Sequence, residues 1–173
     1  MIHKFKLSTH EDFKKRLLDF ISNQNVGGIH EGPDSITKSD NYLEDRPDLK
    51  PYFDWIANEV VDHICEYYCM SFIRVTHVWY QQYEKNDIHQ WHVHPSSSAS
   101  IVYFAELPGP EFSTEFFNPD TREFVKLDCE EGDVLVFPAH IPHRSPPLTS
   151  DQRKTIVGVN MVFERVDTTK FLS

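Results

Sequence analysis

Trp91-His92-Val93-His94-Pro95 and Glu131-Gly132-Asp133-Val134-Leu135-Val136-Phe137-Pro138-Ala139-His140-Ile141-Pro142-His143 are the two stretches on which the reading of this chain turns. Side chains two apart on a strand point to one face, so a strand over 88–94 puts His92 and His94 together. The second stretch is an apolar strand stopped by Pro138, followed by a tight loop that carries His140 and His143. A barrel strand that ends by presenting a histidine at its mouth can complete a metal site begun by the first pair. Neutral imidazole ligates Fe, Zn, Cu and Ni, and three protein nitrogens leave positions open for substrate and oxygen. His92, His94 and His143 therefore form a candidate metal site, with His140 competing for the third place. The bland alternative is a pair of solvent-facing strand histidines and two polar loop residues. His89 lies three before His92, on the opposite face of a regular strand, and is left out.

Outward from these stretches the pattern has period two. The spacing predicts strands over 72–83, 88–94, 100–107, 115–117, 122–127, 134–137 and 154–164, punctuated by Pro, Gly and Asn clusters. Before residue 71 the period is 3.6. Phe13, Leu17, Phe20 and Ile21 mark a helix over 9–22 that opens on Ser8-Thr9-His10-Glu11, a capping-box pattern. Phe53, Ile56, Val60, Ile64 and Tyr68 mark a second over 51–70, with Pro51 suited to its first turn. Residues 23–50 are polar, broken by Gly32-Pro33 and Arg46-Pro47-Asp48, and read as a long loop edging the barrel mouth. Helices first, then short strands, argue for an α+β chain with a sandwich or barrel. The expected organisation is one domain over 1–173, with helical support and loop over 1–70 and the β core over 71–165.

A chain of 173 residues is long enough for a real core. Its 39% apolar and 25% charged residues are an ordinary globular mixture, and a net charge of −10 argues against a phosphate-backbone partner. Cys65, Cys69 and Cys129 form no disulfide framework. No run approaches the roughly 20 apolar residues of a membrane span, and the N-terminus has no apolar signal core. A soluble, cytoplasmic protein is expected.

Arg153 opens an otherwise apolar strand, Lys154-Thr155-Ile156-Val157-Gly158-Val159-Asn160. An Arg entering an apolar barrel needs an anion, and no carboxylate in the sequence is its obvious neighbour. A bound dicarboxylate would match the guanidinium fork; an exposed Arg at a strand start is the alternative.

Taken together, His-x-His, Gly-Asp-x-x-x-Phe-Pro-x-x-x-x-His, Arg153 ten residues on and Asn160 at strand end resemble the iron(II)/2-oxoglutarate-dependent oxygenases. The nearer relatives are the prolyl-hydroxylase-like group, in its small bacterial and phage-type members. The resemblance covers about 72–163 and implies a double-stranded β-helix, a jelly-roll barrel, with two N-terminal supporting helices. It assigns His92 and His143 as metal ligands and Arg153 to the far carboxylate of 2-oxoglutarate. Tyr83 stands near the place of a cosubstrate-binding Tyr. His94 occupies the position where the family has Asp or Glu, which raises the charge of the site by one. The resemblance implies Fe(II), 2-oxoglutarate and O2, and hydroxylation of a C–H bond in a protein side chain, proline by analogy, or in a small molecule. A homodimer is left open. A cupin-type enzyme or a non-catalytic binding module without 2-oxoglutarate is the competing reading.

Overall fold

Alternate residues of the long strands serve two different cores. The computed structural model describes residues 2–42 and 50–171. In chain order the elements are β1 (His3–Lys6), α1 (His10–Ser22), β2 (Ile29–Glu31), β3 (Asp34–Ile36), β4 (Lys38–Ser39), α2 (Pro51–Asp54), α3 (Ala57–Tyr67), β5 (Met70–Tyr83), β6 (His89–His92), β7 (Ala99–Glu106), β8 (Glu115–Asn118), β9 (Glu123–Lys126), β10 (Asp133–Pro138), β11 (His143–Ser145) and β12 (Lys154–Val166). One antiparallel sheet has the order β1-β10-β7-β12-β5-β4 and the other β6-β11-β8-β9, while β2 and β3 pair as a separate hairpin. This is the expected α+β jelly roll.

The outer face of the larger sheet carries Val78, Tyr80, Ile101, Tyr103, Val134, Val136, Val157 and Val159, buried under the helices. Phe13, Leu17 and Ile21 of α1, four apart, form the stripe that meets them, and Val60 and Ile64 of α3 extend it. The inner face carries Tyr83, Val102, Phe104, Leu135, Phe137 and Ile156, which pack with Phe112 and Phe116 between the sheets. Full burial of each such side chain is worth about 1.5–3 kcal/mol. β12 holds the sheet together by pairing with β5 on one side and β7 on the other.

Several elements differ from the expectation. The 51–70 helix is two pieces, with α2 ending at Asp54 and α3 starting at Ala57, because Trp55 and Ile56 turn the chain between them. The capping box does not form: Thr9 makes no side-chain cap, and Glu59 of α3 accepts from the Ser8 amide and the Thr9 hydroxyl instead. The 23–50 stretch contains three short strands, with Gly32 at φ 59° turning the β2–β3 hairpin. Arg46-Pro47-Asp48 lies outside the described residues. The terminal strand β1, which pairs with β10, is an element the periodicity does not announce. Among the described residues no helix is long and apolar enough to cross a membrane.

Asp87 ties this hairpin to the turn that launches β6. Its carboxylate accepts from the Ser35 and Thr37 hydroxyls and from the amides of Thr37 and Glu84. Burial alone would raise its pKa, but these donors outweigh burial and hold it below the usual value. A depressed carboxyl stabilises the fold above its unfolded pKa, about 3.9, and loses that contribution as pH falls through the lower folded value. Asp87→Ala is expected to lower stability by about 2–4 kcal/mol at neutral pH. Urea denaturation of both proteins should show the gap closing below about pH 4.

Candidate metal centre

Three imidazoles from two strands and one loop converge between the sheets. His143 opens β11 and pairs directly with His92 on β6. His94 lies just past the end of β6, where its amide donates to the Ala139 carbonyl at 2.9 Å. Ring centroids are 4.3 Å apart for His92 and His143, 5.0 Å for His94 and His143, and 5.1 Å for His92 and His94. One ligand atom from each lies within 4.8 Å of the others, and the Nε2 atoms of His94 and His143 are 3.1 Å apart. Two nitrogens each about 2.1 Å from one cation, at a right angle, stand about 3 Å apart.

The tautomers are set from behind. His92 Nδ1 donates to the Gln90 carbonyl at 2.6 Å, and His143 Nδ1 to the Ile141 carbonyl at 2.9 Å. Both Nε2 lone pairs are thereby left facing the centre. The Asn160 amide stands 3.4 Å from His94 Nδ1 and bonds Ser100 Oγ at 2.7 Å with its other atom. Ser100 Oγ donates to Asn160 Oδ1, and Asn160 Nδ2 faces His94 Nδ1; turning the amide over would let Nδ1 donate, Ser100 accept from the amide nitrogen, and Nε2 ligate. Burial pushes His94 and His143 down to about 3, and the neighbouring imidazoles add to the shift. Burial lowers His92 too. All three are neutral at physiological pH, as ligation requires.

A slot runs inward from the imidazoles. Gln81, Tyr83, His89, Thr114, Ser145 and Lys154 line it, and among the described residues no Asp or Glu is part of that lining. Its central cavity is about 30 Å³, room for one or two waters, so a five-carbon diacid enters only as side chains shift. Lys154 closes the inner end. It pairs in register with Tyr83, is 1% exposed, and donates to the Phe112 carbonyl at 2.7 Å and the Ser145 hydroxyl at 2.8 Å. Burial, with Lys126 as a second cause, pushes its ammonium down to about 7. Near the metal end, Trp79 Nε1 is buried with no hydrogen-bond partner among the described residues. Three converging imidazoles, a slot with no acid among its described lining and a buried N–H with no partner among the described residues fit a divalent metal with an anionic oxygen ligand.

Arg153 does not enter the slot. It precedes β12, its side chain is 42% exposed, and it forks Glu106 with hydrogen bonds of 2.8 and 2.9 Å. The carboxylate missing from the sequence reading is Glu106, which the β12–β7 register brings opposite Thr155. The inward cation is its neighbour Lys154. Tyr83 is fully buried in the slot, where its hydroxyl donates to Gln81 Oε1 at 2.7 Å. His140 is exposed and lines a different cavity, about 490 Å³, with Phe116 and Ile141. His89, set aside as facing the opposite side, stacks on His92 at 4.0 Å and lines the slot. The irregular β6–β11 register, which pairs His89 with Ser145, explains the change of face. Trp79 lines the slot, Tyr80 joins the outer core, and Trp91 sits under Arg144.

Comparisons with known proteins agree with this geometry. The model of the phytanoyl-CoA dioxygenase (PhyH) family matches residues 66–156. No curated protein matches. Among solved structures, the chain is similar to the viral collagen prolyl hydroxylase of Paramecium bursaria Chlorella virus-1, in its 2-oxoglutarate complex, with 12% identity, 92% of this chain and 94% of that chain covered, and a TM-score of 0.66. A Pseudomonas putida prolyl-4-hydroxylase matches with 11% identity, 94% and 92% coverage and a TM-score of 0.63. HygX from Streptomyces hygroscopicus, with nickel and 2-oxoglutarate bound, matches with 9% identity, 93% and 82% coverage and a TM-score of 0.69. The fold and the family match define a 2-oxoglutarate–iron(II) oxygenase, a class that uses Fe(II), 2-oxoglutarate and O2. Within that class the chain belongs to the phytanoyl-CoA dioxygenase family, whose model spans more than half of it.

His143→Ala is expected to abolish stoichiometric binding of Fe(II) or Ni(II), measured by calorimetry under argon, while His140→Ala leaves it intact. Equal loss in both variants would remove His143 from the centre.

Proposed function

We propose that this protein is a hydroxylase in which His92, His94 and His143 hold Fe(II) and Lys154 takes the far carboxylate of 2-oxoglutarate. The observation that carries the reading is a buried ammonium at the inner end of a slot whose described lining holds no Asp or Glu and whose outer end holds three imidazoles. A lysine desolvated to this degree is poorly satisfied by two neutral acceptors, and a carboxylate would compensate it. With His94 in place of a carboxylate, the three-histidine set carries no negative charge to the metal. A dianionic cosubstrate supplies it instead.

When bound, iron(II) and 2-oxoglutarate supply oxygen activation: the diacid is oxidatively decarboxylated to succinate and CO2, and one oxygen atom of O2 enters a substrate C–H bond. The chain's own residues orient and shield. Ser145 and Lys154 fix the far carboxylate. Tyr83 and Phe104 wall off its alkyl stem, since the ammonium sits 5.2 Å and 5.7 Å over their rings. Phe137 and Phe116 frame His143 at 4.6 and 6.2 Å and keep water from that side. The substrate is a C–H bond on a protein side chain, of the kind prolyl hydroxylases modify, or on a small molecule. Similar structures include both kinds, the prolyl hydroxylases and HygX with hygromycin B bound.

Anaerobic Fe(II) titration with 2-oxoglutarate tests this reading through its metal-to-ligand charge-transfer band in the visible. A band is expected from the wild type. Lys154→Met should weaken 2-oxoglutarate by about tenfold or more, the value of a charged hydrogen bond, and Arg153→Ala should leave it unchanged. Only the protonated lysine binds an anion, so wild-type affinity should fall as pH rises above about 7, and Lys154→Met should flatten that slope. Iron binding with no band at any 2-oxoglutarate concentration would favour a cupin-type site instead.

A further inference from the structure

Trp79 on β5 lies beside the three imidazoles. Its indole lies flat against β12 over Gly158, where a Cβ would stand 2.4 Å from Cε2 and 2.9 Å from Nε1. Only glycine at 158 admits the ring in this position. The side chain is 6% exposed, lines the same cavity as the three histidines, and stands 5.6 Å from the His94 ring. Its Nε1–H has no acceptor among the described residues, and a buried donor without one is costly. The register fixes its level. Lys154 pairs with Tyr83 at the inner end, and Gly158 pairs with Trp79 four residues further out. At about 3.3 Å per residue, Trp79 belongs to the metal end of the slot and not to the lysine end.

We infer that Trp79 Nε1–H donates a hydrogen bond to the oxygen by which the near carboxylate of 2-oxoglutarate approaches the metal. The inference rests on the cosubstrate reading above. It makes Trp79 a cosubstrate-binding residue, with Gly158 there to seat it.

The test uses the whole chain loaded with zinc(II), a redox-inert metal that permits NMR. With Trp55 and Trp91 changed to Phe, the one remaining indole N–H resonance is that of Trp79. Zinc alone is expected to leave it near its starting position, and 2-oxoglutarate to move it downfield. Trp79→Phe, which keeps the ring bulk, should weaken 2-oxoglutarate about tenfold by calorimetry without changing zinc affinity. If 2-oxoglutarate binds while the resonance stays put, or if zinc alone produces the whole shift, the inference is overturned and the cosubstrate reading stands. If the zinc protein binds no 2-oxoglutarate, both are overturned. Should Trp79→Phe fail to fold, the resonance in the Trp79-only protein still decides.

Discussion

Two backbone carbonyls decide what this barrel can hold. Each of Gln90 and Ile141 accepts the Nδ1–H of the histidine two residues later. That geometry fixes both ring orientation and tautomer, and it turns two lone pairs toward one point. A different tautomer at either position would put a hydrogen where a cation should sit. The long β5 and β12, the inner aromatic core and the paired β6 and β11 all serve to keep those carbonyls and rings in place. The third imidazole is held differently. His94 lies past the strand end, and its backbone is tied to Ala139, whose own amide donates to Ser98. Its outer nitrogen meets an amide side chain and not a backbone carbonyl.

The charge of the slot follows from the same arrangement. Imidazoles kept neutral by burial give a bound metal no countercharge, and the lysine at the inner end adds a positive group whenever it is protonated. Yet the chain as a whole carries −10. The acids are elsewhere: Glu115 between Lys126 and Arg144, Glu106 under Arg153, Glu131 against Lys14. Among the described residues none of these acids lines the slot between the imidazoles and Lys154.

Much of this was legible in the sequence, and the failures share a cause. The period-two runs, the histidine pair and the distal His143 are visible because strand side chains alternate and proline marks where strands stop. Arg153 was misread because residues 156–159 are apolar on both faces, one covered by helices and the other by the second sheet. Such a strand gives no parity signal, so the sequence cannot say whether 153 or 154 faces inward. His89 was misread for the converse reason, since a local irregularity in pairing broke a parity that looked clear. The capping of α1 by Glu59 is a contact between residues about 50 apart, invisible to any local pattern. Strands of three or four residues, such as β1 and β11, are too short for periodicity to separate from loop.

The adjacency of Arg153 and Lys154 also guards strand alignment. Sliding β12 by one place against its neighbours would exchange inside for outside along its length. Arg153 would then be driven between aromatic rings without Glu106, Lys154 would face the helices with no acceptor, and the indole of Trp79 would collide with a valine. Three separate penalties would meet every misaligned chain, so the residues that line the slot also discriminate against the wrong strand alignment during assembly.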